Sequence, residues 1–88
     1  MKKVEIYTVT YCPFCKRAKE LLQERSIEFR EIDITENEDA YREKLAEYYN
    51  IEGLVTVPQI VIDGKRIGGC DTLEELIANG DLDKLLGN

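Results

Sequence analysis

Two cysteines separated by two residues, in the segment Cys12–Cys15 (Cys-Pro-Phe-Cys), are the residues of this sequence best suited to chemistry. Residues 4–9 before them are rich in β-branched and aromatic side chains, and apolar residues after them recur every three or four positions. These patterns predict a strand followed by a helix. Pro13 suits the first helical position, because its φ is already helical and its missing N–H needs no partner there. Cys12 is therefore predicted to be the N-cap residue of the helix.

The N-cap position is expected to make the Cys12 thiol reactive. Free backbone N–H groups and the positive end of the helix dipole favour a thiolate there, and Lys16, Arg17 and Lys19 add positive charge. A low thiol pKa increases the fraction of Cys12 that is thiolate, but it also lowers the nucleophilicity of that thiolate, so attack gains little. The main benefit is that Cys12 becomes a better leaving group. Cys15, one turn further on, is expected to be more buried and less ionised. The two sulfurs are thus predicted to be an attacking thiol and a resolving thiol.

Composition limits the other possibilities. The chain has 88 residues with 43% hydrophobic side chains, which predicts one domain over residues 1–88. A net charge of −6 argues against a nucleic-acid partner. The absence of histidine means that the thiol cannot be activated by an imidazole base.

The N-terminal sequence bears on the compartment. Met1, Lys2 and Lys3 resemble the start of a signal peptide, but polar residues from Glu5 onwards interrupt any apolar stretch. No segment has the length and apolarity of a membrane span. We therefore expect a cytoplasmic protein without membrane contact, in which a Cys-x-x-Cys pair serves redox or metal chemistry.

The remaining patterns predict the element order β-α-β-α-β-β-α. A second strand is predicted over residues 27–34, and a capping box at Thr35–Glu38 predicts a helix from Glu38 to Asn50. That helix has an apolar face of Tyr41, Leu45, Tyr48 and Tyr49, interpreted as core, with a partner-binding surface as the alternative.

The C-terminal third continues with a hairpin. Strands at 60–62 and 65–67 flank Asp63-Gly64, a two-residue turn of the kind that closes hairpins. Thr72–Glu75 reads as a further capping box, for a helix that stops at Asn79-Gly80, and residues 81–86 offer one more turn. A strand–helix–strand unit implies a parallel strand pair, to which the hairpin adds an antiparallel edge.

Three segments together carry a family resemblance. Thr10–Cys15, Thr56–Pro58 and Ile67–Asp71 resemble the glutaredoxin family in their order and spacing. The resemblance implies an α/β, thioredoxin-like fold with a four-stranded mixed sheet flanked by helices. It also implies a glutathione-linked oxidoreductase that reduces protein disulfides and glutathione mixed disulfides through Cys12 and Cys15.

The resemblance further implies a glutathione site. Val57-Pro58 would be a cis peptide beside the dithiol, where the backbone of Val57 could pair with glutathione as a strand does. Gly69, Cys70 and Asp71 would hold the γ-glutamyl end. The complete set of glutathione-binding residues implied is Tyr11, Pro13, Phe14, Arg42, Thr56, Val57, Pro58, Gly69, Cys70, Asp71 and Thr72. Glutathione would be a co-substrate rather than a bound cofactor, and neither a permanent cofactor nor a metal is expected.

Departures from the family pattern leave alternatives open. Val9 stands where many relatives have a glutathione-binding lysine, and Thr72 where they commonly have a second aspartate. One alternative is therefore a redoxin that a thioredoxin reductase recycles and that donates electrons to ribonucleotide reductase. Another is an iron–sulfur or metal-binding module, which would need ligands from a dimer, whereas the oxidoreductase is expected to be a monomer. Cys70 is interpreted either as a small buried residue or as an exposed thiol at the glutathione site, with its backbone the functional part.

Overall fold

Four strands form a mixed sheet in the computed structural model, which describes residues 2–87. The strands are β1 (Val4–Thr8), β2 (Arg30–Asp33), β3 (Gln59–Ile62) and β4 (Lys65–Gly68), in the spatial order β2-β1-β3-β4. β1 pairs with β2 in parallel, and the β1–β3 and β3–β4 pairs are antiparallel. The predicted parallel pair and the antiparallel hairpin are both confirmed.

The helices follow the strands in the predicted order. They are α1 (Pro13–Glu24), α2 (Glu38–Tyr49), α3 (Cys70–Ala78) and α4 (Asp81–Leu85), with a short 3₁₀ turn over Thr35–Asn37 before α2. α3 ends before Asn79-Gly80, as predicted, and α4 is the predicted additional turn. None of the described helices is long and apolar enough to cross a bilayer.

The main core lies on one face of the sheet. Alternate residues of β1, namely Val4, Ile6 and Thr8, point to this face and are buried. The apolar cluster there joins the sheet to α1, α3 and α4 through Val4, Ile6, Ala18, Leu21, Leu22, Ile27, Ile60, Ile62, Cys70, Leu73, Leu82 and Leu86. This packing holds α1 against the sheet.

The opposite face of the sheet is covered by α2. Tyr7 of β1 lies with its ring centroid 6.5 Å from that of Tyr41, and Leu45 is buried. Tyr48, however, is 78% exposed and rests edge-on against Tyr49 at 4.7 Å between centroids. The prediction that Tyr48 belongs to the core is therefore wrong, because at its position the helix surface turns away from the sheet.

Turns and caps account for the other differences. Asp63 and Gly64 both have positive φ, 51° and 82°, which suits the predicted two-residue hairpin turn. Neither predicted capping box forms, since no side chain caps the 3₁₀ turn, α2 or α3. Thr35 instead donates its N–H and hydroxyl to Asp33 Oδ1, at 3.0 and 2.5 Å. α3 begins two residues before Thr72, at Cys70.

The second strand is shorter than predicted. It covers Arg30–Asp33 rather than residues 27–34. Residues 27–29 instead leave α1, with the Ile27 N–H bonded to the Leu22 carbonyl at 3.0 Å. Ile27 and Phe29 still pack on the core, so their apolar character reflects burial rather than strand pairing.

Candidate active site

Cys12 is the N-cap residue of α1, as predicted. Its backbone is extended, with φ −103° and ψ 112°, and its half-buried Sγ accepts the Cys15 N–H at 3.2 Å. A donor aimed at the sulfur, together with the helix dipole, stabilises negative charge there. On its other side the Cys12 thiol donates to the Val57 carbonyl at 3.6 Å. The sulfur thus lies between the start of α1 and the loop before β3.

Cys15 has the opposite environment. Its side chain is 1% exposed. Burial raises the pKa of the Cys15 thiol to about 12, with a further contribution from its hydrogen bond with Cys12. The predicted contrast between a reachable first sulfur and a buried, protonated second sulfur is present.

A groove of about 310 Å³ has Val57 in its lining, the residue whose carbonyl accepts from the Cys12 thiol. It is lined by eight of the residues predicted for glutathione binding, namely Phe14, Thr56, Val57, Pro58, Gly69, Cys70, Asp71 and Thr72. The Val57-Pro58 peptide is cis, as the resemblance implied. The groove therefore joins the three segments that carried the resemblance.

The corner between β4 and α3 forms one wall of this groove. Gly68 has a φ of +130°, and a Cβ atom there would lie 2.6 Å from the Thr72 hydroxyl. A Cβ atom on Gly69 would lie 3.2 Å from the Pro58 carbonyl. The two glycines thus allow the chain to turn sharply and to pass close to the cis-proline loop.

Cys70 and Asp71 occupy the first turn of α3. The Cys70 side chain is 4% exposed, and its thiol donates to Glu74 Oε1 at 3.4 Å. Burial raises the pKa of Cys70 to about 11, and the hydrogen bond to Glu74 raises it further. Of the two interpretations of Cys70, a small buried residue or an exposed thiol, the structure supports the first. The Asp71 side chain, by contrast, is exposed.

Tyr11 and Arg42 lie outside the lining of this groove and meet at Glu38. The Tyr11 hydroxyl donates to both carboxylate oxygens of Glu38, at 2.5 and 2.6 Å. The Arg42 guanidinium donates to Glu38 Oε1 through Nη2 at 2.6 Å and to the Val55 carbonyl through Nη1. The sequence pointed to Glu38 only as a helix-capping residue and not as part of a site. Its spacing of four residues from Arg42 on one helix was the available signal.

The remaining predicted positions differ in exposure. Pro13 and Phe14 are exposed in the first turn of α1, with 62% of the Phe14 side chain accessible. Val9 is 3% exposed. Among the predicted cations, Lys19 forms an ion pair with Glu31 at 2.9 Å. Glu31 partly neutralises the Lys19 charge, so Lys19 stabilises a thiolate less than an unpaired lysine would.

A larger groove, of about 670 Å³, lies between α2 and the sheet, lined in part by Tyr7, Tyr41 and Tyr48. None of the cysteines lines it, and we place the chemistry at the smaller groove, because Val57 in its lining contacts the Cys12 sulfur. Within residues 2–87, no group of three or more Cys, His, Asp or Glu side chains is arranged to hold a metal ion.

Comparison with known proteins gives consistent results. The family model described as Glutaredoxin matches residues 4–67. The chain is 49% identical over 86 residues to Glutaredoxin 3 of Escherichia coli strain K12, covering 98% of this chain and 99% of that protein. It is 45% identical to a glutaredoxin of Pseudomonas aeruginosa, with 98% of each chain covered.

Solved structures agree with this assignment. The buckwheat glutaredoxin–glutathione complex superposes with a TM-score of 0.84 at 30% identity, covering 98% of this chain and 77% of that one. The solution structure of the glutaredoxin from Brucella melitensis gives a TM-score of 0.77 at 45% identity, covering 98% and 89%. These matches confirm the thioredoxin-like fold. This chain therefore belongs to the glutaredoxin family of thiol–disulfide oxidoreductases.

Proposed function

We propose that this protein reduces protein disulfides and glutathione mixed disulfides, with Cys12 as the attacking thiol and Cys15 as the resolving thiol. The contrast between the two sulfurs is the observation that carries the proposal. Cys12 Sγ receives an N–H bond at the start of a helix and contacts Val57, which lines the groove. Cys15 is buried and holds its proton, with a pKa of about 12.

With a glutathionylated protein, Cys12 suffices. Its thiolate attacks the glutathione sulfur, a Cys12–glutathione disulfide forms, and the protein thiolate leaves and takes up a proton. A second glutathione thiolate then attacks the bound glutathione sulfur. Glutathione disulfide leaves, and Cys12 is expelled as a thiolate, which the Cys15 N–H stabilises.

With a protein disulfide, both cysteines take part. Cys12 first forms a mixed disulfide with the client, and the first client thiol departs. Cys15 then loses its proton and attacks Cys12 Sγ, which releases the second client thiolate and leaves a Cys12–Cys15 disulfide. Two glutathione molecules supply the two electrons that reduce this disulfide and leave as glutathione disulfide.

Glutathione is proposed to bind in an extended form across the groove. The Val57 backbone pairs with its cysteinyl residue, and the Asp71 carboxylate binds its γ-glutamyl ammonium. The N–H groups of Gly69 and Cys70, at the start of α3, donate to its γ-glutamyl carboxylate. Phe14, Thr56, Pro58 and Thr72 form the walls. Arg42 is assigned to the glycyl carboxylate, and Tyr11 and Pro13 border the Cys12 sulfur.

The proposal also covers the oligomeric state, the clients and the cellular location of the protein. One copy of the chain contains every residue that the two routes require, so we propose a monomer. Its clients are disulfide-containing or glutathionylated proteins, and glutathione enters and leaves as a co-substrate. A cytoplasmic location fits this cycle, because glutathione there is kept reduced.

Serine substitutions test the assignment of the two thiols. Cys12→Ser should abolish reduction of both a glutathionylated peptide and a peptide disulfide. Cys15→Ser should retain the first activity and lose the second. Full activity of the Cys12→Ser variant towards either substrate would refute the proposal.

A second candidate is a redoxin recycled by a thioredoxin reductase. It is favoured by Val9, which is buried and apolar where many relatives place a lysine for glutathione. Val9→Lys should lower the KM for glutathionylated substrate if the missing cation limits binding, whereas Val9→Met, which tests side-chain length alone, should not. Reduction of the oxidised protein by glutathione, without turnover by NADPH and thioredoxin reductase, would exclude this candidate.

A further inference from the structure

The guanidinium of Arg42 is already occupied by a carboxylate of its own chain. Glu38 Oε1 accepts from Arg42 Nε at 3.2 Å and from Nη2 at 2.6 Å, and Val55 O accepts from Nη1. All three nitrogens therefore have partners. Because the Glu38 carboxylate lies against the guanidinium, an approaching anion is attracted by Arg42 and repelled by Glu38, and the two effects largely cancel.

Glu38 is also held from the other side. The Tyr11 hydroxyl donates to both of its oxygens, and Tyr11 directly precedes Cys12. Hydrogen bonds from Tyr11 and then from Arg42 lower the pKa of Glu38. The carboxylate is therefore anionic at neutral pH.

This cluster of Tyr11, Glu38 and Arg42 adjoins the dithiol. Tyr11 connects it to Cys12 along the chain, and Val55 lies two residues before Val57, whose carbonyl contacts the Cys12 sulfur. The Glu38 and Arg42 side chains are 23% and 21% exposed, so a ligand in the site can reach the pair.

We infer that Glu38 is a specificity-determining residue that weakens binding of the glycyl carboxylate of glutathione by neutralising Arg42. This inference rests on the proposed function. A glutathione carboxylate that approaches Arg42 must displace Glu38 or share the guanidinium with it, against the repulsion between two anions. Glu38 thereby lowers the preference for glutathione over thiol ligands without this carboxylate.

The test measures binding without chemistry. S-methylglutathione cannot exchange its sulfur, and its dissociation constant can be measured by calorimetry for the wild type and for Glu38→Gln. The glutamine keeps an oxygen that can accept from Tyr11 and Arg42, but it removes the negative charge. We expect about three- to tenfold tighter binding, the size of effect of one opposing charge at a part-exposed site.

Two comparisons make the result specific. S-methylglutathione with its glycyl carboxylate converted to an amide should bind Glu38→Gln and the wild type equally. Glu43→Gln makes the same change of net charge at an exposed position of α2 and should give no gain. The gain from Glu38→Gln should also vanish when it is made in an Arg42→Met background.

Kinetics provide an independent readout. With a glutathionylated peptide as substrate, Glu38→Gln should lower KM by a similar factor and change kcat less. Unchanged or weaker binding of S-methylglutathione by Glu38→Gln, or an equal gain with the amide, would refute the inference and leave the proposed function standing. If S-methylglutathione binds to neither protein, or Cys12→Ser retains turnover, the proposed function itself fails.

Discussion

At the scale of single residues, the three cysteines differ in reactivity because they differ in burial. Cys12 is half-buried, with a backbone N–H directed at its sulfur. Cys15 and Cys70 are almost fully buried, and loss of solvation raises their thiol pKa values to about 12 and about 11. A thiol with so high a pKa is almost entirely protonated at neutral pH and is a poor nucleophile.

Alkylation should reveal this difference directly. At pH 8, iodoacetamide should modify Cys12 first, and Cys15 and Cys70 more than about a hundredfold more slowly, because the thiolate is the reactive form. Mass spectrometry of peptides from the reduced native protein would give the three rates.

Denatured protein provides the control for the alkylation rates. In guanidinium chloride, all three cysteines should react at similar rates, since the differences come from the fold. Modification of Cys15 as fast as Cys12 in the native protein would contradict the assigned order of attack and resolution.

The sequence predicts the N-cap position of Cys12 well, because an N-cap depends on local order along the chain. It does not predict the cluster around Glu38. That cluster joins Tyr11 before α1 to Glu38 and Arg42 on α2 and to Val55, and such contacts depend on the tertiary fold. The exposure of Tyr48 escaped prediction for the same reason, since helical spacing does not say which positions of the helix the sheet covers.

At the scale of elements, the corner between β4 and α3 sets the shape of the groove. Gly68 has a positive φ and lies against the side chain of Thr72, which lines the groove. Gly64, in the hairpin turn, also has a positive φ, but a Cβ atom there would meet nothing within 4 Å. Gly64 and Gly68 therefore both have a positive φ, but a side chain would clash with a neighbour only at Gly68.

Alanine substitutions separate these two effects. Gly64→Ala should lower the free energy of unfolding by about 1–2 kcal/mol, because an L-residue is strained at positive φ, and Gly68→Ala should lower it further, because its Cβ atom would also lie 2.6 Å from the Thr72 hydroxyl. Gly68→Ala alone should also raise the KM for a glutathionylated peptide, since Thr72 must move. Urea denaturation and steady-state kinetics measure the two quantities, and an equal rise in KM for Gly64→Ala would contradict this role of the corner.

The elements themselves could be predicted where a short motif has one dominant structural outcome. Asp63-Gly64 gave the hairpin correctly, because both residues tolerate positive φ. The two capping boxes failed because Thr35 is bonded to Asp33 instead and because α3 begins at Cys70, ahead of Thr72. A capping motif allows a helix start, but packing against the sheet decides where the helix begins.

At the scale of the whole molecule, the shifted pKa values limit stability on both sides of neutral pH. Hydrogen bonds from Thr8 and then Lys19 lower the pKa of Glu31, and bonds from Thr35 lower that of Asp33. Their contribution is present above the pKa values of the unfolded chain and is lost as the pH falls through the lowered values. Acid should therefore destabilise the fold below about pH 4.5.

The alkaline side yields a sharper prediction, because the raised pKa values of Cys15 and Cys70 belong to buried thiols. Above about pH 8.5 the unfolded chain loses these protons while the native protein keeps them, so the free energy of unfolding falls as the pH rises. The slope should approach about 1.4 kcal/mol per pH unit for each thiol. Urea denaturation between pH 8 and 9, under reducing conditions, stays well below about pH 10, where tyrosines of the unfolded chain ionise, so the raised pKa values of Tyr7, Tyr11 and Tyr49 add little to the slope. Cys70→Ala should roughly halve the slope, whatever its effect on stability at neutral pH, and an unchanged slope would show that Cys70 ionises alike in the folded and unfolded chains.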